Sequence, residues 1–386
     1  MKTRAIFQRI WKFLILIIIL CLCVGILQKY FYVFFSDVKV RMDGFYLEDE
    51  DTLDVVFIGS SELYNDFSPG IAYGEYGFTS YALGTPEGSA ALWEWQLEEV
   101  LRHQSPQLIV VEINAALFDN AEALYKDAVL RHFLDNIPLS RNKINAIKAL
   151  PLQDNAISYY VPFIKYHGSA DIGSSWLSAK TELQMESRGY SLLKGIYTNP
   201  KAIDSNQELI DVTNDNSTLD LLPDAEIYLR NFLDHCKEKG LNNVIFTRLP
   251  HRINSAEKYA RYQRCNRAAQ IIQEYGFPFI NFEGKNEELG LSVHSDYYDN
   301  DHLNIAGQQK FTRYFSEYMI NHLGLSPREL TSEQVTAWNE SYSYTLRFYD
   351  YVNHYSLDPN FDTYLFETYD LIEALENTFV NKDGLS

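Results

Sequence analysis

Residues 54–69 read DVVFIGSSELYNDFSP. The run Val55-Val56-Phe57-Ile58 is apolar at every position, the pattern of a strand buried on both faces of a parallel sheet. It stops at Gly59, which permits a tight exit from the strand. Ser60 and Ser61 therefore fall at the carboxyl end of that strand, where open α/β sheets place their ligands. A serine there becomes a nucleophile only when a base reaches it. Far along the chain, the loop Asp299-Asn300-Asp301-His302-Leu303-Asn304 carries such a base.

Working outward, the same rhythm recurs. Ser80–Gly84 reads as a short strand, followed by the loop Thr85-Pro86-Glu87-Gly88. Ser89–His103 places Leu92, Trp95, Leu97, Val100 and Leu101 at helical spacing, and Leu108–Ile113 (LIVVEI) is a second buried strand. Strand, helix, strand implies a parallel sheet. After Pro223 the alternation returns. A helix over Asp224–Lys239 ends at Gly240, and Val244–Thr247 is a strand. A long helix covers Ser255–Tyr275, Phe279–Phe282 is a further strand, and Asn304 is placed to cap a final helix reaching about His322. The expected class is α/β, a three-layer flavodoxin-like parallel sheet.

Residues 119–222 break this rhythm and read as a largely helical insertion, with two helices split by Pro138 and an aromatic run at Tyr159-Tyr160-Val161-Pro162-Phe163. The chain thus divides into 1–36, a cytoplasmic tip and transmembrane anchor; 37–118, the first part of the α/β domain; 119–222, the insertion; 223–326, the second part; and 327–386, an aromatic, acidic extension. Asp37–Asp54 reads as a polar linker into the first strand.

The anchor rests on the run Phe13–Leu27, which Gln28-Lys29 interrupts and Tyr30–Phe35 resumes. Fifteen apolar residues fall short of the roughly 20 that span a bilayer; the aromatic patch, with Lys29 snorkelling, supplies the remainder. Lys2, Arg4, Arg9 and Lys12 precede the run and no acidic residue occurs before Asp37, which places the N-terminus in the cytoplasm and the rest outside. The residues after Leu27 offer no small-residue cleavage site, and bulky Leu20 and Leu22 precede Cys21 and Cys23, against a lipoprotein signal. Five of the 33 basic residues lie before Asp37, so the exterior part carries 28 against all 52 acidic residues. That balance disfavours nucleic acid and anionic membrane surfaces as partners. Only Cys236 and Cys265 remain outside the anchor, which excludes a disulfide framework and leaves their pairing open.

Serine attack on a carbonyl needs a base for the proton and donors for the oxyanion. His302 is the candidate base, and Asp299 the group that orients it. The serine's own N–H and that of Gly84 are candidate oxyanion donors. Ser60 and Ser61 both satisfy the pattern by position. His251, after Leu249-Pro250, is a candidate substrate contact; Glu62 reads as a salt-bridge or helix-start residue; His132 and His167 read as ordinary. His294, Asp296, Asp299, Asp301 and His302 crowd together, but their spacing matches neither a zinc pattern nor a calcium loop, so no metal or other cofactor is expected.

Gly59-Ser60-Ser61-Glu62-Leu63 after a first strand, a glycine at position 84 and Asp299-x-x-His302-Leu303-Asn304 before a last helix resemble the SGNH (GDSL-like) hydrolase superfamily. The resemblance implies Ser61 as nucleophile, Asp299 and His302 as its partners, and Gly84, with Gly88 as second choice, in the oxyanion hole. It departs at the third block: the family's pattern ends Gly-x-Asn-Asp, whereas this chain has Asn114-Ala115-Ala116-Leu117, with Asn114 about two residues early. That departure, the GSSEL form, the anchor and the insertion resemble the teichoic-acid D-alanyl transfer (DltD-like) proteins and their relatives. The resemblance implies an extracellular serine acyltransferase or esterase at the cell membrane. Its substrate would be an acylated cell-wall glycan or teichoic-acid-like polymer, handled beside a membrane-bound O-acyltransferase. The other reading is a non-catalytic relative that binds polymer or that partner.

Overall fold

The structure, a computed structural model, describes residues 2–30, 36–152, 155–168, 172–205, 207–355 and 367. Five parallel strands form one sheet in the order β2-β1-β3-β4-β5: β1 (Val55–Gly59), β2 (Ser80–Gly84), β3 (Leu108–Glu112), β4 (Val244–Arg248) and β5 (Phe279–Asn281). Alternate residues feed two cores. Val56, Ile58, Ile109, Val111 and Phe246 join Leu97, Val100, Leu229 and Phe232 in one. Val55, Phe57, Val110 and Ile245 join Phe67, Phe311, Phe315 and Met319 in the other. Burial on both sides is why these strands read as unbroken apolar runs.

The chain passes from β1 to β2 on one side and then to β3 on the other. The winding therefore reverses at β1, and a crevice opens at the carboxyl ends of β1 and β3. Two glycines let the backbone crowd there. Gly59 has φ 151°, and a Cβ on it would lie 2.8 Å from Glu112 Cβ. Gly84 pairs with Gly59 in register, and a Cβ on it would collide with the Ser60 carbonyl oxygen.

Between residues 119 and 222 the described residues form helices and no strand, with Asp127–Leu134 and Arg141–Ala149 on either side of Pro138. Arg131 is the centre of this insertion: buried, it lies 3.8 Å over the Tyr159 ring and pairs with Asp127 and Asp135. Tyr159 is therefore core. The extension contributes a helix, Ser332–Tyr355, whose Tyr344, Phe348 and Val352 pack with Ile71 and Ile305; beyond Tyr355 only Glu367 is among the described residues. Cys236 and Cys265 are buried and unpaired.

Two expectations need correction. The supposed linker holds a helix, Ser36–Leu47, whose Val38, Met42 and Phe45 follow helical spacing into the main core. Its charges are satisfied inside: Lys39 pairs with Glu182 at 2.9 Å, and Arg41 donates to the carbonyls of Gly195 and Gly84. The apolar helix long enough to cross a membrane runs from Ile6 to Lys29, 24 residues whose most apolar 18-residue stretch has mean hydropathy 2.9. It reaches that length by extending upstream through Ile10 and Trp11; the aromatic patch at 31–35 lies outside the described residues.

Gly84→Ala is expected to destabilise the protein by about 1–3 kcal/mol, the usual cost of forcing atoms into a filled site. Urea unfolding of the full chain in detergent checks this.

Candidate active site

The exit from β1 divides the two serines by role. Ser60 caps the short helix Ser61–Asp66 and is fully buried. Its N–H and its hydroxyl both donate to Glu112 Oε2, at 3.1 and 2.6 Å. Ser61, one residue on, is half-buried, and its Oγ lies 2.8 Å from His302 Nε2. The Ser61 amide is the first N–H of that helix, so the helix itself offers it no acceptor.

The opposite ring nitrogen of His302 faces Asp299, with Nδ1 3.0 Å from Oδ2 and 3.1 Å from Oδ1. A carboxylate only accepts, so Nδ1 carries the proton and Nε2 is left to accept from the Ser61 hydroxyl. Asp299 is itself held by its own loop: its Oδ1 accepts from the N–H of Asp301 at 2.7 Å and of His302 at 2.9 Å. Burial acts to lower the His302 pKa, but the hydrogen bond and charge of Asp299, with Glu62 and Asp301 beyond, raise it above the ordinary value. Burial likewise acts to raise Asp299, and the partnership with His302 outweighs it, leaving its carboxyl below the usual range. The Tyr298 ring stacks on the imidazole at 5.3 Å and 8°.

Asp66 ties the two halves together. It ends the helix that Ser61 begins, and its Oδ1 accepts from the Leu303 N–H at 2.8 Å. The loop bearing His302 is thus hydrogen-bonded to the helix bearing Ser61. On the far side, Asn304 caps the Ile305–Leu323 helix through the N–H groups of Ala306 and Gly307.

Beneath this surface lies a buried ionic cluster. Arg248, at the end of β4, is 1% exposed. It reaches both oxygens of Glu62 at 2.9 and 3.0 Å, Glu283 at 3.0 Å and Glu112 at 3.6 Å. Burial and the nearby charge of Glu62 push the Glu112 carboxyl up to about 7. Glu112 staples the crevice: one oxygen holds Ser60, the other the N–H of Asn114. His251 lies inside this cluster rather than facing the crevice. Its Nδ1 donates to the Leu249 carbonyl at 2.7 Å and its Nε2 lies 2.7 Å from Glu62. Burial and Arg248 push His251 down to about 3, while burial pushes Glu62 up.

The oxyanion candidates fare unequally. Thr85 N–H donates inward to Gly59, and Ala82 N–H donates outward to Lys194. Amides alternate along a strand, so the Gly84 N–H shares the outward direction of Ala82, on the side where Arg41 takes the Gly84 carbonyl. What Gly84 brings to the site is space. Gly88 N–H is taken by the Pro86 carbonyl at 2.6 Å, and Gly88 packs on Ser60. Asn114 is buried at the end of β3 beside them, and its side-chain Oδ1 has no hydrogen-bond partner. Among the described residues no cluster of three or more His, Cys, Asp or Glu is arranged to hold a metal ion.

No protein-family model matches the chain, and no curated protein is significantly similar to it. The reading of the site therefore rests on its geometry. Asp66, Tyr298, Glu112, Arg248 and Glu283 escaped the sequence reading. Asp66 and Tyr298 lie within a few residues of Ser61 and His302. Glu112 carries one visible signal, an acid closing an otherwise apolar buried strand.

Arg248→Met would leave three acidic side chains buried without their cation, and a loss of about 3–5 kcal/mol is expected. Chemical denaturation of the full chain in detergent at neutral pH checks it.

Proposed function

We propose that this chain is a membrane-anchored, extracytoplasmic serine acyltransferase or esterase of SGNH type. Its substrates on this reading are acyl esters of a cell-envelope glycan or teichoic-acid-like polymer. The observation that carries the proposal is the continuous chain Ser61 Oγ, His302 Nε2, His302 Nδ1, Asp299 at 2.8 and 3.0 Å. This is the arrangement of a nucleophile, its base and the group that orients the base. The reversal of winding at β1, the separate cores on the two sides of the sheet and the Asp-x-x-His loop before the last helix support the SGNH type and three layers. The basic residues ahead of the apolar helix support an outward-facing domain.

Ser61 Oγ attacks the acyl carbonyl carbon while its proton passes to His302 Nε2. The ester's alkoxide leaves with that proton, and the acyl group remains on Ser61. An acceptor hydroxyl, of polymer or of water, then gives its proton to Nε2, takes the acyl group and restores the serine. Asp299 stabilises the imidazolium in both halves. On this reading the Ser61 N–H, and Asn114 through its side-chain NH2, receive the oxyanion. The outward Gly84 amide favours a second reading, in which the chain binds envelope polymer or a membrane-bound O-acyltransferase without catalysis.

A fluorophosphonate separates the two. The reading as an enzyme expects covalent labelling, lost in Ser61→Ala by at least about 10³-fold in rate and retained in Ser60→Ala. Intact-mass spectrometry reads the adduct; labelling that survives Ser61→Ala rejects the assignment. In cells, unchanged envelope acylation in Ser61→Ala would favour the binding reading.

The pH profile follows from His302. The base works when neutral, so the labelling rate rises with pH. Because Asp299 raises the His302 pKa, the midpoint lies above the free value of about 6.5. Asp299→Asn removes the raising charge and leaves burial, which lowers; the midpoint is expected to move below that of the parent chain. Rates across pH 5–9 check both.

A further inference from the structure

We infer that the insertion rests an apolar face in the interfacial layer of the bilayer crossed by the N-terminal helix. This depends on that helix spanning a membrane and is independent of the acyl-transfer chemistry. Outside the apolar helix, Leu139 is the most exposed large hydrophobic side chain among the described residues, at 70%; Leu183 is 55% exposed and Ile164 44%. Single exposed aliphatics are ordinary on soluble surfaces. These three share a location.

A cavity of about 460 Å³ is lined jointly by Gly25, Gln28 and Lys29 of the apolar helix and by Pro138, Pro162 and Tyr166 of the insertion. Leu139 directly follows Pro138, and Ile164 lies between Pro162 and Tyr166. Leu183 lies three residues before Glu186, on the same side of the Ile172–Arg188 helix, and Glu186 pairs with Lys29. Each segment that exposes one of these side chains therefore also meets the last two turns of the apolar helix.

The helix fixes the level at which they meet. From Ile6 to Lys29 it is about 36 Å long, against a hydrocarbon core of about 30 Å. Gly25–Lys29 then lie at the boundary between acyl chains and headgroups, and the insertion segments beside them lie at that boundary too. Large aliphatic side chains, with the half-buried rings of Tyr160 and Phe163 in the same stretch, are the chemistry that enters this layer. The contact is apolar rather than electrostatic, consistent with the acidic exterior domain. A lipid surface fits better than a protein groove because the side chains come from three segments disposed about the membrane helix.

The test uses the full chain with Cys21→Ala and Cys23→Ala, Cys236 and Cys265 being buried. Single cysteines replace Leu139, Ile164, Leu16 in the apolar helix, or Glu257, which is 61% exposed on a helix of the α/β body. Each carries a polarity-sensitive fluorophore in phosphatidylcholine nanodiscs, with and without lipids brominated at both the headgroup end and the methyl end of the acyl chains. At least a twofold loss of fluorescence is expected at 16, 139 and 164, and none at 257. Quenching at 16 without quenching at 139 and 164 overturns the inference and leaves the anchor standing, as would be found if that face met a protein partner instead. Absence of quenching at 16 overturns the membrane span and the inference together.

Discussion

The Arg248 guanidinium is the contact on which the site's architecture depends. It ends β4 and is buried against carboxylates that follow β1, end β3 and follow β5, namely Glu62, Glu112 and Glu283. The carboxyl ends of four strands are thereby drawn to one cation. Isolated buried charges are prohibitively costly, and three carboxylates outnumber one arginine, so the cluster holds protons as well. The raised Glu112, near 7, and the raised Glu62 are the consequence. A cluster of this kind adds little net stability over a packed apolar core, but it leaves few alternative positions for the strand ends.

That constraint separates two adjacent and identical side chains. Ser60 and Ser61 have the same chemistry; what differs is the direction each faces. Ser60 turns down to Glu112 and spends both donors there, which leaves it buried and without a base. Ser61, starting the helix, turns up to His302. The six-residue helix then closes on itself functionally: its first residue presents the hydroxyl, and its last, Asp66, holds the backbone of the loop that presents the base. The Ser61–His302 distance is set by one rigid turn and one hydrogen bond rather than by the long chain between them.

This explains what the sequence disclosed. The strand runs around Val55 and Val110, the Gly59 exit and the Asn304 cap depend on neighbours in the chain, and spacing reveals them. The Asp299–His302 pairing is also local, three residues apart. The cluster at Arg248 was hidden because its partners lie 35 to 186 residues away, and nothing in Arg248's own surroundings marks it as buried. The Ser36–Leu47 helix was hidden for a related reason. Its charges suggest solvent, yet they are neutralised by Glu182 and by carbonyls from distant segments. The direction of the Gly84 amide was illegible too, since register decides it and composition does not.

Arg41 links the chain that leaves the apolar helix to the wall of the crevice. It lies on the helix that follows the apolar span, stacks 3.7 Å over the Tyr64 ring and holds the Gly84 carbonyl. Tyr64 lies on the short helix that Ser61 begins. From the end of the apolar helix at Tyr30 to Arg41 the chain spans no more than about 30 Å, even with every residue before Ser36 fully extended. On the proposed reading, in which the apolar helix spans the membrane, this tether keeps the Ser61 crevice close to the bilayer. Acyl donors and polymers that pass close to the membrane come within its range, and those deep in a thick wall do not. Reach also bears on transfer against hydrolysis. Asp299 is 42% exposed, so water has a route to the triad; an acceptor polymer prevails only if it is held at the crevice. On the proposed reading, an enzyme held near the membrane would meet a high local concentration of membrane-linked acceptor, and that proximity, more than exclusion of water, would favour transfer.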